Sequence, residues 1–483
     1  MIKHFTWPAR LFGVLLAGLA LGLSWQPAQA QHDIRGITGQ TTFNLYAYPA
    51  NIPLPEGTSL PMWLFGDMDG RQTSASGSPY YLPQYPGPTL IVNQGEQITI
   101  NVTNYGIPQP VSVVVTGHQV AASGGTEGLV TQAASLGETA SYSFTADKPG
   151  TYIYHSLDGQ NPGLHVEMGL LGVLIVRPEG FDAETNRTAY GAEGTDYEQE
   201  FLYLLTEVDP EIHLQVSVGH INHFTNADRF AKIWFVNGRV FPDLFEDDYS
   251  ALYPNQPYAA LAKAHPGDRV LVRNVNAGHD SHPFHYHGEN LQFVARDGRI
   301  LSSDPDAPIP AANLGRSDNT INSAPKQAID ALWLWTGADL NWDVYGPVNT
   351  ACADANNNMA DDASEAASPT DPTQWTLCHD NNCNDGNGDG FDDDNFEYCA
   401  DHGKPLPVTL PGPNELAFGA WYSGSPYLGD LADLPPGEGG LNPFAGYFFV
   451  WHSHAEKELT TFDIFPGGTL SAVVVLPPYV PID

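Results

Sequence analysis

The chain has 483 residues and a formal net charge of −37, with 19 Lys and Arg against 56 Asp and Glu. That acidic excess argues against nucleic acid as a partner, because phosphate binding depends on Lys and Arg; it suits attraction of metal cations or plain solubility. The 48 Gly and 40 Pro exclude a long-helix protein and predict an all-β chain of about two to four domains.

In chain order, residues 1–30 read as an export signal. Lys3 and Arg10 supply its positive end, Leu11 to Leu23 its apolar stretch, and Ala28-Gln29-Ala30 its cleavage site. The alternative is a retained membrane anchor. No later run reaches about 18 apolar residues, so no integral membrane segment is expected after cleavage. After a short arm to about residue 40, a first domain is expected at 41–180. Ile98, Ile100 and Val102 alternate on one face; Val111 to Val115, Tyr142 to Phe144, Thr151 to His155 and Leu171 to Val176 are further short strands between turn signals. The pattern recurs over 195–483. Ile233 to Val236 precede Asn237-Gly238, Pro266-Gly267-Asp268 lead into Arg269 to Val272, and Tyr447 to Trp451 and Leu470 to Leu476 close the set.

The second domain is interrupted at about 345–412 by an acidic insertion holding all four cysteines, Cys352, Cys378, Cys383 and Cys399. In an exported protein these suit two disulfides, with zinc binding as the alternative. Asp385, Asn387 and Asp389, followed by Gly390 and Asp393, alternate oxygen ligands as a calcium loop does, although Phe396 stands where an EF-hand carries Glu. A solvated acidic loop is the alternative.

Six of the 17 histidines stand out. His285 and His287, in His282-Pro-Phe-His-Tyr-His-Gly288, are two apart and so project to one side of an extended strand. His452 and His454 repeat that spacing after Tyr447 to Trp451. His118 and His155 follow strands at equivalent points of the first domain. Imidazole clusters of this kind suit copper, zinc, iron or nickel.

Four segments carry a family resemblance: Pro86-Gly87-Pro88-Thr89, Gly150 to Ser156, His282 to Gly288 and Trp451 to His454. Together they resemble the marker regions of multicopper oxidases, over most of 80–300 and 440–478. The resemblance implies tandem cupredoxin-like Greek-key β-barrels, copper as cofactor and dioxygen reduction at a histidine-ligated cluster. His118 and His285 match its type 2 ligands, and His155, His287, His452 and His454 match four of the six type 3 ligands. Val120 and Leu157 stand where the other two belong, which leaves a reduced cluster. In two-domain relatives the cluster forms between domain 1 of one subunit and domain 2 of the next, in a homotrimer; a site within one chain would also satisfy the ligand count.

The electron-entry site departs from the family. A type 1 copper needs a thiolate, yet the second domain has His282, Ser453 and Glu458 at those positions. Glu458 could join His282 in holding a harder metal or in a salt bridge. The first domain also resembles copper nitrite reductases, with Ser156, His165 and Leu170 at the Cys, His and Met positions; His165 reads there as structural. Two functions compete: an exported, periplasmic or cell-surface copper-dependent oxidoreductase without type 1 copper, and a non-catalytic copper-sequestration or delivery protein. A surface structural protein on a degenerate scaffold is a third reading.

Overall fold

The computed structural model describes residues 32–70, 82–157, 161, 163–221, 227–265, 267–335, 447–476 and 482, with two-residue strands at Gln72–Thr73, Pro79–Tyr80, Phe391–Asp392, Glu397–Tyr398, Ala432–Asp433 and Leu441–Asn442. The expected export signal, all four cysteines and the Asp385, Asn387, Asp389 and Asp393 loop lie outside these residues.

Strands dominate the described chain, as its composition predicts. Gln97–Asn104 alternates buried and part-exposed residues, with Ile98, Ile100 and Val102 inward. It lies between Thr42–Pro53, which it pairs in parallel, and Thr139–Thr145, which it pairs antiparallel. A second sheet runs Leu90–Asn93, Leu171–Arg177, Gly150–His155, Val114–Val115. The two sheets enclose a core that includes Phe43, Ile100, Tyr142 and Leu174.

The second half repeats this topology. Gln199–Val208 pairs in parallel with Arg269–Asn276, which pairs antiparallel with Ala328–Leu334. The facing sheet runs Leu261–Ala264, Leu470–Val475, Tyr447–Ser453, His282–Tyr286, Thr320–Ser323. In both halves the second sheet starts with a parallel pair and continues antiparallel. Gly150–His155 thus corresponds to Tyr447–Ser453, and Val114–Val115 to His282–Tyr286. The core of this half includes Val272, Phe284, Trp333 and Trp451. The result is an all-β arrangement of two tandem halves, each built of two facing sheets.

Leu171–Arg177 and Gly150–His155 are buried on both faces. A sheet face left to water would alternate; these strands read as near-continuous apolar runs because the other half covers them. Ile153, Val173 and Ile175 meet Leu204, Phe235 and Val275 in a third core between the halves. Polar contacts cross the same interface: Thr151 Oγ1 donates to Asp330 Oδ1 at 2.8 Å, and Arg273 bonds both Asp330 and Thr151.

The structure adds elements that the strand pattern did not predict. Thr42–Pro53 and Ser59–Asp67 form a long hairpin. Two short helices, Leu164–Glu167 and Pro210–Ser217, sit between strands; the second is capped by Asp209, whose side chain accepts from Glu211 N. Among the described residues, no helix is long and apolar enough to cross a membrane.

Candidate metal centre

His282–Tyr286 and Tyr447–Ser453 are adjacent antiparallel strands in the register Phe284↔Ser453, His285↔His452, Tyr286↔Trp451. Alternation then puts His285, His287, His452 and His454 on one face, and Tyr286, Trp451 and Ser453 on the other. His287 and His454 each lie one residue beyond a strand end rather than within it, because Gly288 turns the chain at φ +94° and a 3-10 turn, Glu456–Leu459, follows the second pair. Backbone bonds hold both: His287 N donates to Val450 O and His454 N to Pro283 O. The buried face anchors the strands, with Tyr286 and Trp451 ring centroids 5.0 Å apart and Trp451 Nε1 donating to His287 O at 3.0 Å.

The four imidazoles pack together. Centroid separations are 4.6 Å for His285–His287, 4.3 Å for His285–His454, 5.0 Å for His287–His452 and 5.3 Å for His452–His454. His287 Nε2 lies 3.0 Å from His452 Nε2. His452 Nδ1 donates to the Ser453 carbonyl at 2.8 Å, which leaves its Nε2 as an acceptor. The proton between the two rings therefore belongs to His287. Burial, and then the neighbouring histidines, hold the imidazolium of His285 down to about 3. Burial also holds His452 down to about 4. Both are neutral near pH 7, the form that ligates a metal.

His118 and His155 are placed elsewhere. His118 packs against Phe144 and Tyr152, with Nδ1 on Thr116 O at 3.0 Å and a buried Nε2 that has no hydrogen-bond partner. His155 ends the Gly150–His155 strand, and burial, followed by the charge of Lys326, lowers it to about 3. No described contact joins either residue to the four. Among the described residues, no three His, Cys, Asp or Glu side chains stand ready to hold a metal ion. The donor chemistry fits copper, since His285 and His452 are neutral imidazoles, but no described contact joins the four to His118 or His155, or those two to each other. Val120 and Leu157, at the missing ligand positions, are both part-buried, and Val120 packs on the first-domain core.

Of the positions that the resemblance matches to type 1 copper, His282 and Glu458 form an ionic triad with Glu207. His282 Nε2 is 2.9 Å from Glu207 Oε2, and its Nδ1 is 2.9 Å from Glu458 Oε2. All three side chains are almost fully buried. Burial opposes a charge on His282, but the two carboxylates outweigh it and raise the imidazolium to about 10. Glu207, despite its burial, is held at about 2, first by its bond to His282. The two carboxylates take opposite nitrogens of the His282 ring, and the three residues form a buried salt bridge. Ser453 Oγ accepts from Ala455 N. In the first domain, Ser156 Oγ donates to His165 Nδ1 at 2.7 Å and His165 Nε2 bonds Gln109 Oε1 at 3.1 Å, so both nitrogens of His165 are engaged by protein.

Several participants have no sequence signal. Glu207 sits at the end of a buried strand, where an acid reads only as an exception to the apolar pattern. It also accepts from Arg229 and from the backbone N–H groups of His279 and Asp280. Arg229 continues to Glu167 at 2.6 Å, carrying the charged network across the interface. Thr320 contacts His285 only because their strands pair.

A model of the multicopper oxidase family matches residues 76–180. An L-ascorbate oxidase from Cucurbita pepo var. melopepo is 36% identical over 100 residues, covering 20% of this chain and 17% of the relative. The iron transport multicopper oxidase fetC of Epichloe festucae (strain E2368) is 28% identical over 281 residues, 54% of this chain and 40% of the relative. A copper-containing nitrite reductase from Alcaligenes xylosoxydans xylosoxydans is 27% identical over 219 residues, 45% of this chain and 62% of the relative. The match thus spans about a sixth of the length of the ascorbate oxidase and less than two thirds of the others. Over part of its length, residues 76–180 above all, the chain is similar to the multicopper oxidases.

Proposed function

We propose that this multicopper-oxidase-like chain is an exported copper-binding oxidoreductase with a reduced histidine cluster and no type 1 copper. The observation that carries this reading is the packed group of four imidazoles, with His287 and His452 facing each other through Nε2 at 3.0 Å. His285, His287, His452 and His454 would hold one side of the copper site. Bound copper supplies one-electron chemistry with dioxygen. The protein's own part is to present lone pairs. His452 spends its Nδ1 proton on a carbonyl, which leaves its Nε2 as a donor atom, and His287 would offer its own Nε2 by carrying the ring proton on Nδ1 instead.

His118 and His155 would complete the site from a neighbouring copy, in a homotrimer. Their separation from the four within one chain supports this, as does the surface beside His118. A shallow depression there is lined by Val120, Ala122 and the 127–132 segment, and Leu129 and Val130 stand exposed on it.

The test is copper stoichiometry of the reconstituted protein, its visible spectrum, and oxygen uptake with phenols, Mn(II) and Cu(I) as reductants. The expected result is copper bound without the intense charge-transfer band of a thiolate ligand, with oxygen consumed. Less than one copper per chain overturns the site. Copper bound without oxygen uptake favours the second reading, sequestration or delivery, which the ionic triad at the electron-entry position supports.

A further inference from the structure

We infer that Thr320 is a positioning residue that selects which nitrogen of His285 faces the metal; the inference rests on reading His285 as a ligand. Thr320 lies directly across from His285 in the pairing of His282–Tyr286 with Thr320–Ser323. His285 Nδ1 is 2.8 Å from Thr320 Oγ1. Thr320 Oγ1 in turn donates to Asn319 Oδ1 at 2.9 Å. A hydroxyl has one proton, and the amide oxygen can only accept it. The hydroxyl oxygen must therefore accept at its other side, so Nδ1 of His285 carries the ring proton. The lone pair is then on Nε2, and the ring is held against those of His287 and His454.

Two of the other candidate ligands use the main chain for the same purpose: His118 donates to Thr116 O and His452 to Ser453 O. His285 uses a side-chain hydroxyl and its relay beside a bond to the Asn319 backbone. Groups that orient a ligating imidazole in this way typically contribute about 10- to 100-fold to metal affinity. Thr320→Val keeps the branched shape and its strand preference but removes both the acceptor and the relay. Thr320→Ser restores the hydroxyl.

Two measurements test this on the full-length protein. In the metal-free wild type, imidazole 15N resonances, with His285 assigned by comparison with His285→Gln, should show the proton on Nδ1; a proton on Nε2 overturns the inference, whether or not any variant folds. In competition titrations with Cu(II), Thr320→Val should bind about 10- to 100-fold more weakly than wild type, and Thr320→Ser within a few-fold of it. Wild-type affinity in folded Thr320→Val overturns the role of Thr320 while leaving the copper site standing. Failure of wild type to bind Cu(II) overturns the site itself, and the positioning role with it.

Discussion

At the residue scale, His282 is held by charge. Its ring lies between two buried carboxylates, so removing it strands both. Replacing His282 with Gln should destabilise the fold by about 3–5 kcal/mol in urea titration, the range for breaking a buried ion pair. Copper content of the folded variant should be unchanged; loss of copper there would return His282 to the ligand set. The triad also predicts a pH profile. The imidazolium is raised from 6.5 to about 10, so its contribution is complete below pH 6.5 and disappears as pH rises through 10. Glu207 is lowered from 4.5 to about 2, so its contribution is complete above pH 4.5 and is lost as pH falls through 2. The stability difference between wild type and His282→Gln should therefore be greatest between about pH 4.5 and 6.5 and shrink on both sides. Equal differences at pH 6 and pH 10 would contradict this assignment. At the metal face, alanine at His287 or His452 should abolish copper binding with little change in unfolding midpoint, because neither ring belongs to the apolar core.

At the scale of elements, the two halves meet where backbones approach closely. Gly298 has φ +68°, and a Cβ there would lie 2.2 Å from the hydroxyl of Tyr152. Gly95 has a comparable φ of +86° but nothing within 4 Å of its Cβ position. Both substitutions to Ala incur left-handed backbone strain, and only Gly298→Ala adds a clash with a buried tyrosine across the interface. Gly298→Ala should therefore lower the melting temperature more than Gly95→Ala; equal shifts would mean that Tyr152 moves aside freely. Much of this level is legible in sequence. The alternation of Ile98, Ile100 and Val102 gives a half-buried strand, and the two-residue spacing of each histidine pair gives a shared side. The pairing of those two strands is not legible. His285 and His452 are 167 positions apart, and nothing local to either specifies the register that sets one ring opposite the other.

At the scale of the whole molecule, four of the six histidines pack together, and no described contact joins His118 or His155 to them. If neighbouring copies complete each site, light scattering should give a trimer. Two variants, His118→Ala/His155→Ala and His285→Ala/His452→Ala, should each lack a complete cluster when alone. Mixed before assembly, they should recover copper binding and oxygen uptake, because some interfaces then join two intact faces. No recovery on mixing, together with a monomeric mass, would place the complete site within one chain.

The sequence by itself determined the all-β character, the repeat, the paired histidines and the confinement of every cysteine to one segment, because composition, period-two alternation and residue identity are local properties. Tertiary structure alone decided what surrounds His282 and how the histidines are grouped. Glu207, Glu458 and His282 come from three distant segments, and Thr320 reaches His285 only through strand pairing. Such contacts depend on register and on burial between two packed halves, which no local pattern in the chain encodes.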